Sequence, residues 1–448
     1  MEFVSKKLSA VIVIAVAAIS PLKAQNLSDI YELALQNDPV LKQAQAKQSA
    51  IGEVKNQSIA RFLPTISATG STKREWLHNK KAGEDFRGDL INQQFWSNTF
   101  AINLTQPLFH WDYWIQLNQS DNQIAQAEAG YQAELQNLMV KTTEAYFNVL
   151  SAQDNLEFSR AEKEAIVRQL EQAKHLFQAG LIAITDIHEA QAGFDQASAN
   201  EIEAANSLDN QKEALREIIG ETDALLDSLG PELPLLKPEP ADITAWSDSA
   251  EVSNFSIISA FNQAEATRKT IELQRNGHLP RLDLVASLGA SDDNSSFGFR
   301  GDTQSVGVQL NVPLFEGGAV NSRTRQAGYE YEAAKEKLIA TKRAVKRQVK
   351  DAYRGVLSTI SRVAALKATV TSAESALTAT EEGFEVGTRT MVDILNEQRN
   401  LYRAKRDFSR TRYDYLLNSL KLKQASSSLS EADLEQINGL LVANTADH

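Results

Sequence analysis

The chain has 448 residues, 46 Lys plus Arg against 58 Asp plus Glu, a formal net charge of −12 and no cysteine. That acidic balance argues against a nucleic-acid partner. Without cysteine, a disulfide framework, a thiolate metal site, a cysteine nucleophile and lipid on an N-terminal cysteine are all excluded.

At the amino end, Lys6 and Lys7 precede the apolar run Leu8 to Ile19, and Leu22-Lys23-Ala24 offers a small residue at a cut. The pattern predicts a cleaved export signal over residues 1–24. Roughly a dozen apolar residues cannot cross a bilayer core, which needs about twenty. Losing Glu2, Lys6, Lys7 and Lys23 removes a net +2 from −12 and leaves −14. No later stretch is long and apolar enough for a membrane helix.

A first unit is expected over residues 25–220. It opens with a helical segment from Asn26 to Arg61, followed by strands on either side of an exposed loop placed at Glu75 to Gln94. In Thr99 to Leu108, Phe100, Ile102, Leu104 and Leu108 face one way, while Thr99, Ala101, Asn103 and Thr105 face the other. One lipid face and one wet face require this alternation in a membrane β-barrel; a soluble sandwich with one solvated face gives it too. Phe95 and Trp96 precede the strand and Trp111, Tyr113 and Trp114 follow it, as amphipathic rings at two membrane–water interfaces would. From Asp112 to Gln178 there is no proline and little glycine, so a single helix could reach about 100 Å. Leu135, Leu138, Thr142, Ala145 and Val149 recur at three and four spacing, as in a coiled coil. Gly180 to Thr185 forms a tight turn into a shorter helix from Thr185 to Ile219.

Residues 221–248 form a linker whose GPELPLLKPEP run (Gly230 to Pro240) carries four prolines, which rule out helix and predict an extended strap around the bundle. A second unit over residues 249–425 repeats the first order. Helix Ser249 to Asn276 leads to alternating segments Arg281 to Ala290 and Ser305 to Leu314, a long helix Ala319 to Glu385, a turn Gly387 to Thr390, and a helix Thr390 to Ser426. EAYFNVL returns as DAYRGVL and FQAGLIAITDI as FEVGTRTMVDI, with Ala145 and Ala352, Gly180 and Gly387, and Asp186 and Asp393 about 207 residues apart. Residues 426–448 are a serine-rich tail with one more short helix from Glu431.

Four strands cannot close a barrel, and an open edge in a bilayer leaves backbone groups without partners. Three chains supply twelve strands, enough for an aqueous lumen, and their helices continue the same axis as a cylinder. The expected fold is therefore mainly α with transmembrane β. Two tandem helix-strand-strand-helix-helix repeats per chain would build a trimeric 12-stranded barrel continued by a coiled-coil tunnel.

KEAIVRQL (Lys163 to Leu170), GLIAITD (Gly180 to Asp186), NSLDN (Asn206 to Asn210), GHLP (Gly277 to Pro280) and VGTRTMVDIL (Val386 to Leu395) resemble, in this order, the outer-membrane efflux protein family. The resemblance implies a homotrimeric channel-tunnel in outer-membrane lipid of a Gram-negative bacterium, extending into the periplasm. It also implies the role of exit duct for multidrug efflux pumps and type I secretion. A periplasmic adaptor and an inner-membrane RND or ABC transporter are then its partners, with no cofactor and no enzymatic centre. A periplasmic scaffold would share the long helices but lack the strands, and a diffusion porin would need many strands per chain and no long helices.

By the same resemblance, Gly180 and Gly387 mark the helix-tip turns at the periplasmic entrance, and Thr185, Asp186, Gln169, Glu381 and Arg389 belong to a latch that holds it shut. An arginine fork suits a carboxylate and a hydroxyl together. Phe384 stands where the family pattern has a tyrosine, removing one hydroxyl hydrogen bond worth about 1 kcal/mol. Asp393 and Asn396 fall on the entrance constriction, three apart on one helix face; the family pattern has a second aspartate at the latter. Arg399, Arg403, Arg406 and Arg410 form a basic stripe, as do Arg343, Arg347, Lys350 and Arg354. These read first as solvated faces, and second as a docking seam for an adaptor. His78, His110, His175, His188 and His278 have no metal-ligand spacing.

Overall fold

The computed structural model describes residues 25–81, 90–221, 225–294 and 300–443. The export signal expected at 1–24 lies outside them. Helices α1 (Leu27–Asn37) and α2 (Pro39–Ala60) open the described chain. They replace the single helix expected from Asn26 to Arg61, because the chain turns at Asp38 and Pro39. Proline has no N–H and is accommodated in the first helical turn. The Asp38 carboxylate accepts from the Leu41 N–H (2.7 Å) and from Lys141 Nζ (3.0 Å) while only 1% exposed. Burial pushes its pKa up, but those bonds outweigh it and hold the carboxyl below its ordinary range.

Strands β1 (Thr65–Lys81) and β2 (Leu90–Phe109) follow, then α3 (Trp111–Gln178) and α4 (Ile184–Ile219). The loop expected at Glu75 to Gln94 is instead largely strand. Glu75 pairs with Phe95 and Lys81 with Leu90, so the insertion lengthens the hairpin. Alternation is weaker there, with Lys73, Arg74 and Glu75 in succession, and this hid the extension. Phe95 and Trp96 consequently lie inside β2 rather than before it. After the short strand β3 (Ser228–Leu229) come α5 (Ile243–Ser253) and α6 (Phe255–Arg275). The helix expected from Ser249 thus begins earlier and breaks at Asn254, whose side chain caps α6 through the Ser256 N–H (2.9 Å). Strands β4 (Arg281–Asp293) and β5 (Arg300–Asn311), helices α7 (Ala319–Glu385), α8 (Met391–Ala425) and α9 (Glu431–Asn438), and strand β6 (Leu441–Val442) complete the chain.

The main sheet is antiparallel in the order β1-β2-β4-β5. Its register places Ile66, Leu104, Ala286 and Val306 in one row, and Ser67, Asn103, Ser287 and Ser305 in the next. Successive rows face opposite sides, so one face is apolar and the other polar. The apolar face is open: Val306 is 78% exposed and Ile66 69%. On the polar face the Ser71 and Thr99 hydroxyls share a hydrogen bond, and in the next row, at the far end of the other face, the Thr72 hydroxyl donates to Asn98 Oδ1. Trp76 and Trp96 flank Arg74, each ring 5.8 Å from its guanidinium, while Trp111 and Trp114 lie half exposed at the other end. From Trp96 to Phe109 is 109 − 96 = 13 residues. At about 3.3 Å each and a tilt of about 40°, that is a height of about 33 Å, the scale of a bilayer with its interfaces. No helix among the described residues is long and apolar enough to cross a membrane.

Helices α3 and α7, of 68 and 67 residues, carry the shorter ones. Near the sheet α2 lies along α3, with Lys55 Nζ 2.8 Å from Asp121; further away α4 does so, with Lys163 Nζ 2.9 Å from Glu201. In the second half α6 and α8 share α7 in the same way. The larger core surrounds mid-height, joining Leu138, Tyr146, Phe147 and Leu150 of α3 to Tyr413, Leu416 and Leu420 of α8, with α1 and α9 against it. Each such buried leucine or phenylalanine contributes about 1.5–3 kcal/mol. The proline-rich strap crosses here: the Tyr415 hydroxyl accepts from the Leu236 N–H (2.9 Å), and Tyr146 donates to the Asp227 carbonyl (2.8 Å).

Candidate functional site

The ends of α3 and α7 furthest from the sheet are built alike. After α3, Gly180 adopts φ +75°, its N–H reaches the Phe177 carbonyl (2.8 Å), and the Leu181 N–H reaches Leu176 (2.9 Å). After α7, Gly387 adopts φ +79°, with its N–H on Phe384 (3.0 Å) and the Thr388 N–H on Gly383 (2.8 Å). This paired closure needs a left-handed residue, which glycine supplies without a Cβ penalty. Each returning helix then starts four residues after its glycine, at Ile184 and at Met391.

The two returns differ in their caps. At α8 the Asp393 carboxylate accepts from the Thr390 N–H and hydroxyl (2.9 Å each), and the Thr390 hydroxyl accepts from the Asp393 N–H (3.3 Å). These bonds, led by the backbone N–H and supplemented by the charge of Arg389, hold the Asp393 carboxyl below its ordinary range. At α4 the corresponding cap residue is Ala183, so only the Asp186 carboxylate contributes, accepting from the Ala183 N–H (3.2 Å). Thr185 is exposed beside it.

Arg389 is exposed, and its guanidinium forms no hydrogen bond or ion pair with the described residues of its own chain. Its stem lies across Gly383, where an added Cβ would meet Arg389 Cγ at 2.7 Å. Gly383 is a residue the motif reading missed; its signal is a glycine one residue before the helix-ending aromatic. Within one chain, therefore, the two turns are close in design but no bond joins Asp186 to Arg389.

Phe384 packs, partly buried, on a second and smaller core formed by Ile166, Leu170, Ala173, Ala190, Ala197, Met391 and Leu395. Gln169, next to Leu170, is half-buried, with its carbonyl oxygen unpartnered. Glu381 is half-buried on α7, and Asn396 is exposed on α8 one turn after Asp393. A Cβ at Gly193 of α4 would meet Leu395 of α8 at 3.5 Å and Ile166 of α3 at 3.6 Å, so α4 packs against both helices at this position. The basic residues Arg343, Arg347 and Arg354 on α7 are exposed, as are Arg403 and Arg410 on α8. No group of three or more potential metal ligands is positioned together among the described residues.

The family model described as outer membrane efflux protein matches residues 30–221 and 246–428. Outer membrane protein TolC of Vibrio cholerae serotype O1 is 39% identical over 430 residues, covering 95% of this chain and 96% of that one. Outer membrane protein TolC of Escherichia coli is 35% identical over 436 residues, 94% of this chain and 85% of its own. The alkaline protease secretion protein AprF of Pseudomonas aeruginosa is 32% identical over 420 residues, 92% of this chain and 87% of its own. Among solved structures, the Campylobacter jejuni CmeC outer membrane channel has a TM-score of 0.78 at 17% identity, covering 94% of this chain and 90% of that one.

Proposed function

This chain belongs to the outer membrane efflux protein family and is an outer-membrane efflux channel, and from that premise we propose that three copies of it form one duct. The observation that carries this reading is the main sheet, with an exposed apolar face and two unpaired edges, β1 and β5. In hydrocarbon an unpaired edge costs several kcal/mol for each unsatisfied group. Pairing β5 of one copy with β1 of the next closes twelve strands around the polar rows, giving a wet lumen. Below it, α3 and α7 extend about 100 Å at 1.5 Å per residue, which takes the lumen across the periplasm as a helical tunnel.

The two tandem units are residues 25–220 and 249–425, joined by the strap at 221–248, with a cleaved signal at 1–24 and a tail at 426–448. Partners are a periplasmic adaptor and an inner-membrane RND or ABC transporter, which supply the energy that a passive duct lacks. Cargo falls in two classes: small toxic compounds, and secreted proteins as the name of the AprF relative states for that protein. The helix tips form the gated entrance. Its constriction is a ring of Asp393 carboxylates backed by the Asn396 amides, and its latch comprises Thr185, Asp186, Gln169, Glu381 and Arg389. The free guanidinium of Arg389 is the group available to a neighbouring chain. Phe384 lacks the hydroxyl that would add a bond, but its ring adds apolar contact to the tip core, leaving Arg389 more of the polar latch.

The test is reconstitution into planar lipid bilayers. Trimers extracted from the outer-membrane fraction should conduct, and Arg389→Ser should raise the single-channel conductance. A stable monomer that passes no current overturns the duct, and an unchanged Arg389→Ser channel overturns the latch.

A further inference from the structure

The seam between α3 and α8 changes character along its length. The mid-height core ends at Leu156 on α3 and Tyr413 on α8, and the tip core begins at Ile166 and Leu395. Between them the buried residues include Ser159 and Glu162 from α3, and Gln398 and Ser409 from α8, with Leu401 and Ala404 as apolar exceptions on α8. Arg406 Nη1 reaches Glu162 Oε2 at 3.0 Å, with the Glu162 side chain 4% exposed and that of Arg406 26%. Just above, the Asp154 carboxylate accepts from the Ser409 and Tyr413 hydroxyls, the latter at 2.8 Å. A cleft of about 210 Å³ opens at the ion pair, lined in part by Glu162 and Arg406 themselves and by Gln196, Asn200, Arg399 and Arg403. Gln398 is 2% exposed and its carbonyl oxygen is unpartnered.

We propose that this polar girdle is the pivot of the entrance, and that the Arg406–Glu162 pair is an internal lock which holds the lower part of α8 against α3. The proposal rests on the gated entrance inferred above. Close-packed apolar cores resist small separations, because contacts are lost before water can enter. A polar seam beside a cleft parts at lower cost, since water enters and satisfies the groups it exposes. The segment from Met391 to Arg406 therefore swings while Tyr413 onwards stays anchored, and the swing also parts Met391 and Leu395 from Ile166 and Leu170 in the small tip core. A buried ion pair adds little net stability, but it fixes one register and penalises loss of a single partner. Here that penalty is unequal. Without Arg406, Glu162 keeps a charge with no other bonded cation among the described residues, and with its side chain only 4% exposed it is poorly hydrated unless α8 moves away and widens the cleft. Without Glu162, Arg406 already has the cleft for hydration.

The experiment measures single-channel conductance in planar bilayers for outer-membrane trimers of Arg406→Gln, Glu162→Gln, the double variant Glu162→Gln/Arg406→Gln, and Arg389→Ser. Arg406→Gln should shift the channel towards open states, with an open-to-closed ratio raised on the order of 100-fold. Glu162→Gln should open it less, and the neutral double variant should return towards wild type. If Arg389→Ser opens the channel but Arg406→Gln does not, the internal lock is overturned and the gated entrance stands. If neither opens, both fail. Should Arg406→Gln not assemble, the exchanged pair Glu162→Arg/Arg406→Glu decides: wild-type conductance supports the lock, and a leaky exchanged channel overturns it.

Discussion

Asp393 has one observed role, in the cap of α8, and one proposed role, in the constriction. It closes the first turn of α8 through Thr390, and its charge projects at the proposed constriction. Substitutions separate the two. Asp393→Asn keeps an acceptor for the cap and removes the charge, so cation selectivity and block by hexaamminecobalt should fall while helicity is unchanged. Asp393→Ala should add fraying of α8 to the same loss. The sign of the pH response follows from the lowered carboxyl. A depressed carboxylate keeps its charge above its ordinary value and loses it only as pH falls through the lower folded one. An ordinary aspartate is half protonated at about pH 3.9. At about pH 4, where an ordinary aspartate is about half protonated, block should stay above half of its value at pH 7, and a loss centred at or above pH 4 would count against the constriction assignment. The constriction assignment came from the family resemblance of VGTRTMVDIL; the bond to Thr390 has a local signal that the motif reading did not use, Thr and Asp three apart before an apolar run. The Arg406 pairing has no such signal, because Glu162 lies 244 positions away and nothing in a basic stripe says which member turns inward.

Among elements, Gly193 lies where α4 meets both α8 and α3. Alanine there would meet Leu395 and Ile166 at ordinary contact distance. Gly193→Ala should raise the unfolding temperature, by the roughly 1 kcal/mol that alanine gains over glycine inside a helix, and leave conductance unchanged. Gly193→Leu should wedge α8 away and raise conductance; a channel as tight as wild type would show that the close approach has no part in closure. Most element ends were readable because glycine turns and caps have local causes, as at Gly180, Gly387 and Thr390. The breaks at Asp38 and Asn254 have local causes too, an Asp-Pro step and an Asn cap, but apolar spacing continues across both and masked them. The division into two cores was equally hidden, since every helix carries three and four spacing and the gap exists only between partners.

For the whole molecule, the decisive property is a sheet with partners still to find. The chain has no native cysteine, so introduced pairs report cleanly. Single cysteines stepped along β1 from Thr65 to Thr72, each combined with Val306→Cys in β5, should yield one or more positions where oxidation links chains into trimers. Disulfide geometry accepts only Cα separations of about 4.4–6.8 Å, so monomers at every position would contradict the closed barrel. Two alternating segments per unit made the strand number readable, whereas the extent of the first hairpin was masked by its run of charged residues.

The position of the polar seam sets a mechanical ratio. From Arg406 to Met391 is 406 − 391 = 15 residues, a lever of about 22 Å at 1.5 Å per residue. A rotation of only about ten degrees carries its free end about 4 Å. In the proposed trimer three such levers share one axis, so a modest angular change becomes a large gain in aperture while the part of α3 above Glu162 need not flex at all.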